Sequence, residues 1–266
     1  MSLPPGHGRA SPVPLQCRVR LLATAVALSL LGSLGGLLVA SSLLLFSDAF
    51  RRRLLPWLIS YAVGALLGVS LLALLPEALS SLEPSAVFGT LLFGILLFFV
   101  LEKLVLLRHC HTDQCHVHGA AAPLVLFGDA FHNFIDGATI ATAVLTSVPL
   151  GINTALAVAA HEIPQEVGDV AILLASGYSR RRALVLNVLS GASGIAGAFL
   201  AFVAIGIVPT VRPYVLALSS ASLLYIAMSD LIPDLHRGPS DRRSLRQVIL
   251  IGAGILTVMA FSKLVD

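Results

Sequence analysis

Residues 129–137 read DAFHNFIDG and residues 161–169 read HEIPQEVGD, and both stretches interrupt long apolar runs. Together they hold two histidines and five carboxylates. An ionisable side chain at membrane depth is energetically costly unless it is compensated. A bound cation is the simplest compensation for clusters this dense, so the two stretches predict a path for metal ions through a membrane.

The rest of the chain is unusually apolar. Of its 266 residues, 57% are hydrophobic and only 12% are charged, whereas soluble domains average roughly 45–50% and 25%. The apolar residues form runs of about 20, long enough to cross a bilayer. We therefore predict an all-α polytopic membrane protein with eight transmembrane helices, near residues 21–46, 54–76, 86–107, 122–147, 151–176, 182–208, 213–235 and 245–265. Residues 1–20, rich in Pro, Gly and Arg, are predicted to be disordered, which leaves 21–266 as one transmembrane domain.

Basic residues are distributed unequally between the predicted loops. Arginine triplets follow helices one and five, at 51–53 and 180–182, and further basic residues follow helices three and seven. The positive-inside rule puts these loops in the cytosol and both termini on the other side. Arg18 and Arg20, directly before helix one, favour the opposite orientation. A cleaved signal peptide would explain them, but the apolar run of about 25 residues is long for one. No interleaving of basic and aromatic residues indicates nucleic-acid binding.

Two helix ends indicate internal symmetry. Helix two ends in LLPE at 74–77, and helix seven ends in LIPD at 231–234. Each is the middle helix of a group of three, and the two groups run in opposite senses. We therefore predict a 3 + 2 + 3 arrangement with inverted repeats, which places a binding site near the membrane midplane on helices four and five.

Helical spacing gathers the polar residues of each stretch onto one face. The helix-four face consists of Asp129, His132, Asn133 and Asp136. The helix-five face consists of His161, Glu162, Gln165, Glu166 and Asp169. His132 and Asp136 lie one turn apart and can bind one ion, and His161 and Gln165 have the same spacing. Asn133 and Glu162 point slightly aside, towards a second, neighbouring ion. Imidazole nitrogen combined with carboxylate oxygen suits Zn²⁺ and Fe²⁺ better than Ca²⁺ or Mg²⁺.

Further polar residues are candidates for the pathway of the ion. They are Asp129, Asp169, Asn187 and Asp230. Pro164 removes a backbone hydrogen bond inside helix five, which frees a carbonyl near residue 160 as an extra oxygen ligand. Any one of these residues is also explained by an interhelical hydrogen bond. Two histidines with several carboxylates on adjacent helices favour the metal interpretation.

The loop predicted at 108–119, between helices three and four, carries its own candidate ligands. They are His109, Cys110, His111, Cys115, His116 and His118. Their spacing does not match a closed zinc finger, so we expect a labile cytosolic metal-binding loop. A disulfide between the two cysteines is the alternative, which the surrounding histidines and the cytosolic side disfavour.

His161 and Glu162 also begin the HExxH motif of zinc peptidases. Gln165 occupies the place of the second zinc histidine, and Pro164 distorts the helix that the motif requires. We therefore predict neither an enzyme nor catalytic residues, and no cofactor apart from the metal itself. The chain also has no Walker-type ATP motif, which favours a secondary transporter.

These residues resemble the ZIP (Zrt/Irt-like) family of zinc and iron transporters. The resemblance rests on the eight-helix plan, the His-rich loop, HNFIDG at 132–137 and HEIPQE at 161–166. The second motif is similar to that of the subfamily with His-Glu-x-Pro-x-Glu in helix five. The resemblance implies uptake of divalent metal into the cytosol, Zn²⁺ first, with Fe²⁺ or Mn²⁺ as alternatives. It also implies a homodimer in which helices one, four, five and six move against the other four.

The resemblance assigns the ligands as well. His132, Asp136, His161 and Gln165 would match its primary site, and Asn133 and Glu162 the neighbouring site. The sequence departs from the family where Gln165 replaces the usual histidine, which is expected to weaken zinc binding or shift selectivity. Asn187 stands where some relatives have a carboxylate, which puts the second ion in doubt.

Two further expectations follow. A short multi-pass chain of this kind fits a bacterial inner membrane, with an organelle membrane as the alternative. A membrane metal sensor or scaffold that holds a structural ion without transporting it is the competing function.

Overall fold

The computed structural model describes residues 15–43, 45–107, 117–236 and 243–263. Within these ranges the protein is all-helical, with no strand, and consists of eight helical segments. They are α1 (Leu15–Leu43), α2 (Asp48–Val69, a π-helical turn Ser70–Leu74 and Leu75–Leu79), α3 (Pro84–Leu107), α4 (Val117–Thr146), α5 (Val148–Ala175), α6 (Arg180–Gly191 and Ser193–Ile207), α7 (a 3₁₀ turn Pro209–Val211, Arg212–Tyr225, a π-helical turn Ile226–Leu231 and Ile232–His236) and α8 (Arg243–Lys263). Each segment overlaps one predicted apolar stretch.

Six of the described helices are long and apolar enough to cross a membrane: α1, α2, α3, α6, α7 and α8. The two others, α4 and α5, carry the polar clusters, which lower the hydropathy of any window that includes them. Their crossing of the membrane, and with it the count of eight spans, stays a prediction.

Two predicted boundaries are corrected. α1 begins at Leu15, so residues 15–20 are helical and any disordered segment ends before them. α4 begins at Val117, which puts the backbone of His118 in its first turn rather than in the loop. In both places a helix continues past its apolar run, because polar residues at an aqueous helix end remain hydrated while the backbone bonds continue. The other loop candidates, His109, Cys110, His111, Cys115 and His116, lie outside the described residues.

The helices pack in two groups. The first group contains α1, α4, α5 and α6, and the second contains α2, α3, α7 and α8. The groups meet mainly where α2 packs on α5 and α4 packs on α7. The most extensive helix contacts keep the same pattern when α1 is exchanged with α6, α2 with α7, α3 with α8 and α4 with α5. The helices that this exchange relates are those that an inverted repeat would relate.

The two π-helical turns lie in α2 and α7, which are also related by this exchange of helices. Ser70–Leu74 in α2 precedes Pro76, and Ile226–Leu231 in α7 precedes Pro233. Proline has no N–H to continue the ladder of hydrogen bonds, and a π turn accommodates the break. The sequence match between LLPE and LIPD therefore corresponds to a shared backbone irregularity.

Close glycine contacts bring α4 against α6. A Cβ added to Gly137 would overlap the backbone oxygen of Gly194, and one added to Gly197 would overlap the backbone oxygen of Phe134. Only glycine permits helices to approach this closely. The contact lies directly beside the polar face of α4 and holds that face at a defined position.

Candidate metal centre

The α4–α5 hairpin brings the two histidines to the same depth. Only Ser147 separates the helices, and its side chain caps α5 by accepting a hydrogen bond from the Leu150 N–H at 3.2 Å. His132 precedes Ser147 by 15 residues and His161 follows it by 14. At a rise of 1.5 Å per residue, the two side chains lie at nearly equal distances from the turn, about 21–23 Å.

Four side chains from this hairpin converge and form what we call the mixed group: His132, Asp136, His161 and Glu162. The two Nε2 atoms are 2.9 Å apart. Asp136 Oδ2 lies 3.3 Å from His132 Nε2 and 3.2 Å from His161 Nε2. Glu162 Oε1 lies 3.5 Å and 3.6 Å from the same two atoms.

These separations fit a four-coordinate metal ion. Zinc bonds of about 2.0–2.1 Å give a tetrahedron whose edges are roughly 3.3 Å. The five distances above, 2.9–3.6 Å, lie on both sides of that value. Two imidazole nitrogens and two carboxylate oxygens are a ligand set for Zn²⁺ or Fe²⁺ rather than for Ca²⁺ or Mg²⁺.

The surroundings orient these ligands. His161 Nδ1 lies 3.1 Å from the backbone oxygen of Ala157. A proton on Nδ1 donates to that carbonyl and leaves Nε2 as the free lone pair, the arrangement typical of metal-binding histidines. Asp136, His161 and Glu162 are buried, whereas the His132 side chain is 16% exposed. Three of the four residues of the mixed group are therefore buried, and solvent reaches the group at His132.

A second cluster, which we call the carboxylate group, shares one member with the first. It consists of Asp129, Glu162 and Glu166, all of them buried. Neither oxygen of Glu162 or Glu166 receives a hydrogen bond from the described residues. Such carboxylates repel one another and require a cation or protons for compensation. Glu162 belongs to both groups and is placed to bridge two neighbouring ions.

Two predicted ligands are engaged with Asp129. Asn133 Nδ2 donates to Asp129 Oδ1 at 3.0 Å, and its Oδ1 accepts a hydrogen bond from Ser33. Gln165 Nε2 donates to the same Asp129 oxygen at 3.2 Å. The structure brings Glu162 beside both histidines and Gln165 beside the carboxylate group, whereas the family resemblance grouped Gln165 with the histidines and Glu162 with the neighbouring site.

Ser33 was not among the predicted residues. It lies on a face of small residues in α1, and a Cβ added to the nearby Gly36 would come within 2.9 Å of Glu162 Cβ. The run of Gly and Ser in α1 is the sequence signal for this close approach, but it does not indicate which helix is approached.

A cavity of ≈ 640 Å³ leads to the centre between α3, α4, α5 and α7. His132 and Gln165 are among its lining residues. Its lining includes no Lys or Arg among the described residues and five carboxylates: Glu102, Asp129, Asp169, Asp230 and Asp234. Such a wall attracts cations and repels anions.

Three of the four predicted pathway residues line this cavity, namely Asp129, Asp169 and Asp230. Asn187 does not line it. Its buried side chain has no hydrogen bond among the described residues. Tyr225, which the sequence analysis did not select, also lines the cavity and donates a hydrogen bond from its hydroxyl to Glu102 across the α3–α7 contact.

Comparison with known proteins identifies the class. The family model described as ZIP Zinc transporter matches residues 106–262. Zinc transporter ZIP13 of Pongo abelii is 35% identical over 224 residues, which are 79% of this chain and 67% of that protein. Zinc transporter ZIP4 of Mus musculus is 38% identical over 133 residues, 50% of this chain and 20% of that protein. Zinc transporter ZIP5 of Mus musculus is 39% identical over 149 residues, 55% of this chain and 28% of that protein.

The chain belongs to the ZIP zinc transporter family. It spans two thirds of the ZIP13 relative but only a fifth of the ZIP4 relative. Members of this family are metal transporters rather than enzymes, which excludes the peptidase interpretation of His161 and Glu162. Together with the six apolar helices, membership makes the chain an integral, multi-pass membrane protein.

Proposed function

We propose that this protein carries Zn²⁺ into the cytosol as a secondary transporter, with the mixed group as its principal binding site. The observation that carries the proposal is geometric: two imidazole nitrogens lie 2.9 Å apart and 3.2–3.6 Å from two carboxylate oxygens, beside an acidic cavity that His132 lines. Buried ligands hold an ion, and the cavity gives the ion a way out. A purely structural site would not need a cavity of ≈ 640 Å³ leading to it.

The mixed group and the carboxylate group favour different metal ions. The mixed group favours Zn²⁺ or Fe²⁺, because imidazole nitrogen is a ligand of intermediate softness. The carboxylate group offers oxygen ligands only, the type of site that Mn²⁺ also accepts. Glu162 lies in both groups, so an ion in one affects the other through a shared ligand. Asp129, Asn133, Gln165 and Glu166 would surround the second ion.

The direction of transport follows from the predicted orientation. The cavity is lined by residues from the last turns of α3 and α7 and from the first half of α4. The positive-inside rule assigns these ends to the cytosol, with both termini on the opposite side. Beyond the mixed group, Thr142 and Ser220 are fully buried. The protein thus has the form of a transporter open to the cytosol and closed to the other side.

The symmetry of helix packing supports a 3 + 2 + 3 inverted repeat of eight spans. Inverted repeats allow one helix group to rock against the other around a fixed site. The first helix group carries all four residues of the mixed group. The second helix group supplies the opposite wall of the cavity. We propose that the two helix groups move relative to each other during transport. A homodimer in a bacterial inner membrane, or in an organelle membrane, is the setting that we expect.

Flux measurements in proteoliposomes test the proposal. Wild-type protein should give saturable Zn²⁺ influx, and His132→Ala and His161→Ala should each abolish it, because each removes one of two nitrogen ligands. His236→Ala is the matched control, since this exposed histidine at the end of α7 lies outside both groups. Unchanged influx in both site variants would disprove the assignment.

Zinc flux, measured together with zinc binding, separates transport from the competing function. A sensor or scaffold would bind Zn²⁺ tightly and stoichiometrically through the same histidines but would show no flux in wild type. The accessible cavity favours transport over such a role.

A further inference from the structure

A second cavity lies apart from the metal centre, at the end of the bundle that carries the two arginine triplets. Its volume is ≈ 230 Å³, and its lining combines two arginines, one serine and four aliphatic residues. The polar lining residues are Arg51, Arg180 and Ser41, and the aliphatic ones are Leu45, Val170, Leu174 and Leu184. In the sequence these arginines indicate only the orientation of the helices.

The position of the cavity is that of a bilayer interface. Arg51 lies in the first turn of α2 and Arg180 is the first residue of α6. Leu174 lies in the last turn of α5, and Leu45 belongs to the connection between α1 and α2. Four helix ends therefore meet here, on the side that the positive-inside rule assigns to the cytosol.

The chemistry of the lining selects the occupant. Two guanidinium groups bind an anion such as a phosphate by charge-assisted hydrogen bonds and repel a metal ion. Four aliphatic side chains match a hydrocarbon chain, which a soluble anion does not possess. Basic pockets between membrane helices on the cytosolic side are suited to anionic lipid headgroups. The neighbouring arginines, Arg52 and Arg181, are exposed and add to the positive potential.

We propose that this cavity binds one anionic phospholipid of the cytosolic leaflet. Its phosphate lies between Arg51 and Arg180, and its acyl chain runs along Leu174 and Leu184. Arg51 belongs to the second helix group and Arg180 to the first, so the lipid bridges the two groups on the side where the metal cavity opens. Binding of the lipid does not depend on transport, so failure of one proposal leaves the other intact.

Native mass spectrometry of the full-length protein in detergent tests this site. Wild-type protein is titrated with phosphatidylglycerol and, separately, with phosphatidylcholine. The test variant is the double substitution Arg51→Gln with Arg180→Gln. The control is Arg52→Gln with Arg181→Gln, which removes the same charge from the same two helix ends without altering the cavity lining. Thermal unfolding of each protein verifies that the variants remain folded.

We expect one phosphatidylglycerol to bind in preference to phosphatidylcholine. The cavity variant should bind it at least tenfold more weakly than the control variant, which should stay near wild type. Equal weakening in both variants would mean a diffuse charge effect and would overturn the proposal. So would equal binding of the two lipids. Displacement of the lipid by millimolar inorganic phosphate would assign the site to a soluble anion instead. If the cavity variant fails to fold, Leu184→Gln, which changes only the aliphatic lining, replaces it in the same comparison.

Discussion

Glu162 is the residue on which both ligand groups depend. Its carboxylate lies 3.5 Å from His132 Nε2 and is also a member of the carboxylate group. The side chain is fully buried and receives no hydrogen bond from the described residues. A buried carboxylate without compensation is strongly destabilising, so a bound cation would stabilise the folded protein as well as occupy the site.

Gln165→His tests whether the amide at this position influences metal selectivity. Gln165→Ala would only remove a contact. The imidazole adds a nitrogen ligand and removes the hydrogen bond of Gln165 to Asp129. We expect Zn²⁺ uptake to rise severalfold relative to Mn²⁺ uptake, because nitrogen ligands favour zinc more than manganese. Competition uptake in proteoliposomes measures the ratio.

Gln16→His serves as the control for that experiment, since Gln16 is exposed on α1 and far from the hairpin in sequence. It should leave the ratio unchanged. An unaltered ratio in Gln165→His as well would show that this position does not influence selectivity.

At the scale of elements, backbone contact between α4 and α6 holds the site in position. Gly137 and Gly194 meet at one level, and Gly197 meets the Phe134 backbone at the next. Hydrogen bonds from Ser190 to the Leu126 oxygen (3.1 Å) and from Ser193 to the Ala130 oxygen reinforce the contact. The polar face of α4 cannot rotate without losing these contacts.

Gly197→Ala should therefore destabilise the protein. Its Cβ would overlap the Phe134 backbone oxygen, and backbone cannot move aside as a flexible side chain can. Overpacking of this kind costs about 1–3 kcal/mol. Gly89→Ala in α3 is the control, because a Cβ there meets nothing within 4 Å. It should be neutral or slightly stabilising, since alanine is the better helix former. Unfolding of both variants in detergent gives the comparison, and equal stabilities would contradict the close packing.

At the scale of the whole molecule, the cavity beside the site lies towards one end of the helix bundle. The cavity reaches His132 from the ends of α3 and α7. On the other side of the mixed group, the space between α4 and α7 is filled, for example by a hydrogen bond of 2.9 Å from Thr139 to Ser219. The two helix groups thus meet tightly at one end and stand apart at the other.

Thiol labelling measures this asymmetry. Ile135 lines the cavity, and Thr142 lies two turns further along α4 and is fully buried. After replacement of Cys17, Cys110 and Cys115 by serine, Ile135→Cys should react with a polar thiol reagent supplied from the cytosolic side. Thr142→Cys should be protected from both sides in this conformation. The reverse pattern would mean that the cavity opens to the opposite side.

Much of this protein was predictable from local pattern. Hydropathy runs predicted all eight helical segments, and helical spacing predicted the polar faces of α4 and α5. The starts of α1, α2 and α4 were misplaced by five or six residues, because hydropathy detects the part of a helix in lipid and not its hydrated end. The matching His-x-x-x-acid and His-x-x-x-amide spacings predicted a similar depth for the two ligand sets. The structure adds that only Ser147 separates α4 from α5, whereas the sequence predicted a break at 148–150.

The sequence by itself determined which side chains could bind metal and at what depth. Only the tertiary structure decided how they group: Glu162 beside both histidines, Gln165 on Asp129, and Ser33 on Asn133. The reason is that the rotation of each helix about its axis depends on packing against distant helices. Here it depends on glycine contacts of α4 with α6 and on α1 lying against Glu162. No local spacing rule contains those contacts.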